Sequence, residues 1–411
     1  MNCYFDIICI GTGISGLYLG YKSINSNKRI LFIEKENDIG GRIVSVNTNT
    51  SSYYAEGCAT RFFKTDNNVP SLENDYYVTK LLDELKIEST PMSNFNLKTD
   101  DYYIEVIDQI KKNYPNIDNK YALESFPVIV ELLGYSSRKF SDSIGYPVFM
   151  EPMNLNMALR SLFKFAGEYQ YLIIGGYKSV CENLFNIIKN KFYFKFNEAV
   201  TSISFKNNLY CVNNKYFAKK IVFTGTINQL NNIILNVNHL YTLKTLLNYY
   251  FDYRAIRVYV KISDPWWNES ELFSKWNTGT ALNQVIYYNV DTILIYSNMY
   301  SADILYNLIP HSYRKINNFI NINKVPKLKD YLIFHLSIIL EHNINISKIW
   351  YNYRRDACQF IKPVDIDYDK FFDTIQENNN FFMLSGDYTF NPGWVNSCLE
   401  IVEKKYKKIL N

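Results

Sequence analysis

The sequence predicts an α/β protein in which a discontinuous, Rossmann-like nucleotide-binding domain carries an inserted α+β domain. Three observations predict it. A strand, a glycine loop, a helix and a second strand follow one another between Asp6 and Glu34. A last buried strand, Phe381-Phe382-Met383-Leu384, stands near the other end of the chain. Between them a helical texture gives way to a run of short strands. A sheet begun at one end and completed at the other must have its second domain inserted.

The elements follow in order. Asp6-Ile7-Ile8-Cys9-Ile10 is a short apolar run of the kind that forms a buried parallel strand. Gly11, Gly13 and Gly16 follow, and Leu17 to Ser23 can form a helix. Arg29 to Ile33 is a second buried strand, ending at Glu34. From about Ser71 to Gly167, apolar residues recur at helical spacing, as in Val78-Leu81-Leu82-Leu85 and Val130-Leu132-Leu133. Phe192 to Phe194, Ile203 to Phe205 and Lys220 to Phe223 read as short strands joined by Asn-rich turns. Arg257 to Ile262 alternates at period two, as a half-buried strand of a second sheet does. Gly386 and a final helix from about Gly393 complete the chain. The domains expected are 1–70, 171–235 and 376–411 for the nucleotide-binding part, with a helical insertion at 71–170 and a substrate domain at 236–375.

Composition excludes several classes. The 411 residues hold 44 basic and 40 acidic side chains, and a net charge of +4 so dispersed is no nucleic-acid footprint. The four histidines sit at no metal-ligand spacing, so no metal is expected. Seven scattered cysteines without a CxxC read as reduced thiols in a reducing compartment. The start shows no leader pattern, and the most apolar stretch, Tyr331 to Leu340, is too short to span a bilayer. A cytoplasmic protein without a membrane anchor is expected. The excess of Asn, Ile, Lys, Tyr and Phe is what an AT-rich genome encodes. A large DNA virus is one such source, in which case the location is host cytoplasm or virion.

The glycine spacing has a physical reason. Gly11 makes a tight turn, Gly13 lets the backbone approach a pyrophosphate, and Gly16 lets helix and strand pack closely. Ile14 and Ser15 open the helix, whose N–H groups and positive dipole end suit phosphates. Glu34 lies 21 residues after Gly13, where a carboxylate can accept ribose hydroxyls and disfavours a 2′-phosphate.

Gly40-Gly41-Arg42 comes next, and with it the run Asp6 to Arg42 resembles the N-terminal signature of the flavin-containing amine oxidase superfamily. Ile174-Gly175-Gly176-Tyr177 with Leu184 is similar to that family's GG-x-x-x-L segment. Leu384-Ser385-Gly386-Asp387 with Pro392-Gly393-Trp394-Val395 resembles its C-terminal segment closing over the flavin. The resemblance implies the amine oxidase-like two-domain fold and FAD, not NAD. It implies cofactor contacts at Lys35, Gly41, Arg42, Ala59, Thr60, Gly386, Asp387, Trp394 and Val395, with Val200 as a backbone contact to adenine. Arg42 would compensate negative charge near the phosphates and ribityl chain. Asp387 stands where the family has Glu.

On the substrate side, Glu56-Gly57-Cys58-Ala59-Thr60-Arg61-Phe62 is similar to a stretch of L-amino-acid oxidases whose arginine forks a substrate carboxylate. Arg61 therefore reads as a carboxylate ligand or as half of a structural ion pair. Arg257 stands where most members hold a lysine near the reacting flavin nitrogen, which puts the usual water relay in doubt. Lys261 alternates to the same face further along. Trp394 matches one wall of an aromatic cage, and Phe360 or Tyr353 substitutes for the other. Cys358 lies near a position that carries covalent flavin in monoamine oxidases, and is preferred as a buried thiol. The tail Glu403 to Lys408 reads as the solvated end of the last helix, and Trp266-Trp267 as core.

The resemblance implies oxidation of the C–N bond of a small-molecule amine or amino acid, with molecular oxygen as acceptor. Two alternatives stay open: a desaturase of the same fold, and a degenerate flavin-binding protein with a structural or interaction role.

Overall fold

The computed structural model describes residues 3–49, 53–64, 75–92, 101–114, 124–165, 170–389 and 391–411. Strand β1 (Cys3–Ile10), helix α1 (Ile14–Lys22) and strand β2 (Ile30–Ile33) form the opening βαβ unit. From Ile7 to Ile10 and Ile30 to Ile33 the side chains are buried on both faces, which is why these strands read as continuous apolar runs. In the parallel part of the sheet, Tyr193–Lys195, β2, β1, Tyr216–Phe223 and Phe381–Met383 lie side by side. The mid-chain strand Tyr216–Phe223 thus lies between the first strand of the chain and one near its end.

The strand Tyr216–Phe223 also pairs at its N-terminal half with the antiparallel Leu209–Val212, which pairs with Ser202–Lys206. The Asn-rich turns between them have a backbone cause. Asn207 and Asn208 both have positive φ (54° and 61°), the left-handed pair that a tight hairpin needs and that asparagine tolerates. Asn379 and Asn380 repeat the device before Phe381.

The second sheet is antiparallel in the order Lys275–Asn277, Gln284–Asn289, Thr292–Asn298, Tyr250–Ile262, Ile346–Ile361, Ile320–Asn321. The strand expected at Arg257 to Ile262 is longer than its alternating stretch, because Tyr250 to Tyr253 also pair, with Ile361 to Cys358, before a register shift at Arg254. The segment 71–170 is helical at Tyr76–Leu85, Asp101–Asn113, Phe126–Leu132, Ser137–Ile144 and Leu155–Phe165, with a short strand at Ser89–Pro91. Its residues 71–74, 93–100, 115–123 and 166–169 lie outside the described residues. Leu132, expected on an apolar face, is 69% exposed.

The last helix begins at Val395 and lies on α1. Its tail is more than a solvated face: Glu403 accepts from Tyr18 Oη at 2.5 Å and pairs with Lys22 at 2.8 Å, and Lys408 pairs with Glu377 at 2.6 Å. Trp267 is buried and stacked on Tyr287, as core. Among the described residues, no helix is long and apolar enough to cross a membrane.

Candidate active site

The glycine loop is built as the chemistry requires. Gly11 has φ +105°, and Gly13 is the extended N-cap of α1 without a side-chain cap. A Cβ on Gly16 would stand 2.4 Å from Gly11 O, and one on Gly11 2.6 Å from Thr224 Oγ1. A Cβ on Gly13 would meet nothing closer than Gly40 O at 4.0 Å. Packing within the protein thus requires the outer glycines, whereas a side chain at the middle one would meet no such clash. Ile14 and Ser15 are buried in the first turn. The Gly40-Gly41 turn crosses over this loop, with Gly40 N donating to Thr12 O at 2.9 Å.

Glu34 sits at the end of β2, nearly buried. Its Oε2 accepts from Thr12 N at 2.8 Å and Thr12 Oγ1 at 3.0 Å, and its Oε1 from Glu36 N at 3.1 Å. Oε1 keeps acceptor capacity for a ribose hydroxyl. The segment leading to Val200 runs alongside, Glu198 N donating to Glu34 O at 2.9 Å. Lys35 is exposed and pairs with Glu36 at 3.6 Å.

Arg42 and Asp387, drawn together from opposite ends of the chain, form a two-pronged pair. Arg42 Nη1 donates to Asp387 Oδ1 at 3.0 Å and Nη2 lies 2.8 Å from Oδ2, with Asp387 almost wholly buried. Ser385 Oγ and Ala357 O take further bonds from the guanidinium at 3.1 and 3.0 Å. Burial opposes its charge, but the carboxylate outweighs burial and raises the guanidinium's pKa. Gly386 starts the turn that carries Asp387.

Against the second sheet, beside the helical segment and the start of the last helix, lies a cavity of about 150 Å³. Cys58, Ala59, Thr60 and Arg61 enter from the loop after the strand Tyr54–Glu56. Gly393, Trp394 and Val395 enter from the start of the last helix. Arg257 enters from the second sheet, its guanidinium 5.2 Å from the Tyr296 ring centroid and its Nη1 donating to Glu56 O at 3.3 Å. The three residues expected to face substrate, Arg61, Arg257 and Trp394, therefore line one cavity. Phe360 lines it as well, whereas Tyr353 stacks on Tyr306 and donates to Asp303 away from it. Lys261 is likewise engaged elsewhere, by Asp291 at 3.2 Å. Cys358 is buried in the wall, and burial first, then Asp387, pushes its thiol pKa far up, so it stands as a thiol.

Several cavity residues escaped the sequence reading. Tyr296 is the partner of Arg257 across the sheet, and its hydroxyl meets that of Tyr253 at 2.5 Å. Gln284, Ser161 and Tyr146 also line the cavity. Strand register brings Gln284 opposite Tyr296, whereas Tyr146 enters from the turn after the helix Ser137–Ile144 and Ser161 from the helix Leu155–Phe165; the run Gln284 to Tyr288 shows no polar–apolar alternation that would have marked its face. Glu56, behind Arg257, accepts from Tyr177 N at 2.8 Å and Ser45 Oγ at 2.7 Å. Burial outweighs these bonds and pushes its carboxyl up to about 8.

Residues 9–78 match the family model described as NAD(P)-binding Rossmann-like domain. An uncharacterized protein of Acanthamoeba polyphaga mimivirus is 36% identical over 94 residues, 22% of this chain and only 17% of that protein's length. Solved structures of putrescine oxidase variants with redesigned cofactor binding superpose over 99% of both chains. A single-substitution variant gives a TM-score of 0.74 at 12% identity, and a triple variant 0.72 at 13%. The chain thus has the two-domain fold of these putrescine oxidase structures, with a Rossmann-like dinucleotide-binding segment at its N-terminus.

Proposed function

We propose that the protein is an FAD-dependent oxidoreductase that oxidises the C–N bond of an amine or amino acid, with molecular oxygen as acceptor. One observation carries this reading. The open glycine loop, Glu34 and the Arg42–Asp387 pair run on to a cavity lined by Arg257, Tyr296 and Trp394. The named similarity of the fold neighbours to putrescine oxidase supports it.

Gly11, Gly13, Ile14, Ser15 and Gly16 would hold the pyrophosphate, Glu34 the ribose, Val200 the adenine, and Gly41, Arg42, Asp387 and Val395 the flavin half. The bound flavin supplies the two-electron acceptor. The chain's own residues do the rest. Trp394, Phe360 and Tyr296 exclude water from the reacting carbon. Arg257, fixed over Tyr296 by the Glu56 carbonyl, disfavours an ammonium beside it and so favours the neutral amine that can lose a hydride. The amine gives up two electrons and two protons to become an imine, which water hydrolyses, and oxygen leaves as hydrogen peroxide.

The test is the visible spectrum of the purified chain before and after acid precipitation, followed by anaerobic titration with amines and amino acids. A flavin spectrum that bleaches on addition of an amine, with release of ammonia, is the expected result. A colourless protein that takes up no added FAD would refute the reading. Bleaching without ammonia would replace it with desaturation, which Arg257 in place of lysine also suits.

A further inference from the structure

We propose that the cavity takes an amine whose far end is acidic, and that Lys275 and Arg61 bind that acidic group. This rests on the oxidoreductase reading for the amine end only.

Strand register places the residues. Asn277, Gln284, Tyr296, Arg257 and Asn352 stand directly opposite one another across five strands, and Lys275, Ile286 and Leu294 form the next row on the same face. Gln284, Ile286, Leu294, Tyr296 and Arg257 line the cavity, so Lys275 lies on its face of the sheet. Tyr146 ties the corner together: Arg61 Nη2 donates to its hydroxyl at 3.4 Å, and Lys275 Nζ lies 5.9 Å from its ring centroid. Among the described residues lining the cavity there is no aspartate or glutamate. Burial first, then the Arg61 charge beside it, brings the Lys275 ammonium down to about 7, which places the two basic groups close together.

Two buried polar atoms complete the picture. Ser161 Oγ lines the cavity without a hydrogen-bond partner among the described residues, a hydroxyl donor suited to an anion. Gln284 Nε2 donates to Ile144 O at 3.0 Å and Gly145 O at 3.3 Å, which turns its unpartnered Oε1 into an acceptor for a substrate N–H. The strand of Lys275 is three steps from that of Arg257, on the order of 14 Å, with Ile286 and Leu294 between. That geometry suits several methylenes between amine and acid. A diamine would bring its second ammonium against the Arg61 guanidinium and the Lys275 amine, which is repulsive below neutral pH, where Lys275 is protonated.

The experiment is calorimetric binding of 6-aminohexanoate, hexylamine and 1,6-diaminohexane to the purified protein with FAD added, at a pH slightly below neutral. The aminohexanoate should bind at least about tenfold tighter than the diamine, a gap of one charge-assisted contact. Lys275→Met should erase most of that preference and Lys275→Arg restore it, with unchanged melting curves showing both variants folded. A diamine that binds as tightly, or a preference unmoved by Lys275→Met, would overturn the proposal. Binding is read without turnover, so aminohexanoate that binds with the predicted preference yet bleaches no flavin refutes the oxidase reading and leaves the acid site standing.

Discussion

Gly13 and Gly16 differ in what an added methyl group would meet, and this separates cofactor binding from folding. At Gly16 a Cβ would sit 2.4 Å from Gly11 O and 3.4 Å from Cys9 Sγ, both on rigid main sheet structure. Relief needs about 1 Å of backbone movement, which for overpacking costs on the order of 1–3 kcal/mol. At Gly13 the nearest atom is 4.0 Å away, and φ −66° with ψ 176° suits alanine. Losing flexibility in the unfolded chain favours Gly13→Ala by about 0.4–1 kcal/mol, and the poorer N-cap takes back a few tenths. The Gly13→Ala protein without cofactor should therefore melt within a degree or two of the parent. On the proposed placement of the cofactor it should nonetheless lose FAD, because the methyl would take room that the pyrophosphate needs. If FAD binds as proposed, the parent should gain about 2.7 kcal/mol at a hundredfold excess over the dissociation constant. Melting curves with and without FAD, alongside the visible absorbance of the purified proteins, read both effects. A Gly13→Ala protein that keeps its FAD-dependent rise in melting temperature would refute this placement of the phosphates. A Gly16→Ala protein as stable as the parent would refute the packing argument.

Arg42→Met should cost about 3–5 kcal/mol in unfolding free energy, since it leaves the buried Asp387 carboxylate without its two-pronged partner; adding Asp387→Leu should recover much of the loss in a double-mutant cycle. Glu56 binds its proton more tightly folded than unfolded, up to about 8 against 4.5, so the native state carries the extra proton between those values. Stability should fall as pH rises through that window, and Glu56→Gln, which can still accept from Tyr177 N and donate to Ser45, should flatten the dependence in melts from pH 5 to 8. Glu403→Ala should cost about 1–3 kcal/mol by leaving the buried Tyr18 hydroxyl unanswered, and chemical denaturation should show it as an earlier midpoint.

The opening βαβ unit, the last buried strand and the helical character of 71–170 are legible in the residues, because each depends on local periodicity and turn chemistry. The glycine loop and Glu34 are legible for the same reason: a phosphate loop is a contiguous piece of chain whose backbone does the work. Arg61, Arg257 and Trp394 come from three separate stretches, and nothing local says that they face one cavity. Their meeting depends on how a loop, the second sheet and the start of the last helix pack together. The row from Asn277 to Asn352 is set by register across five strands, a long-range pairing that no single segment encodes. That register places Tyr296, Gln284 and Lys275, and the packing of the helix Leu155–Phe165 places Ser161; of the two aromatic candidates Phe360 lines the cavity and Tyr353 does not. Local periodicity and backbone demands determine the elements and the glycine loop from the sequence itself; the set of side chains that line the cavity exists only once those elements are packed.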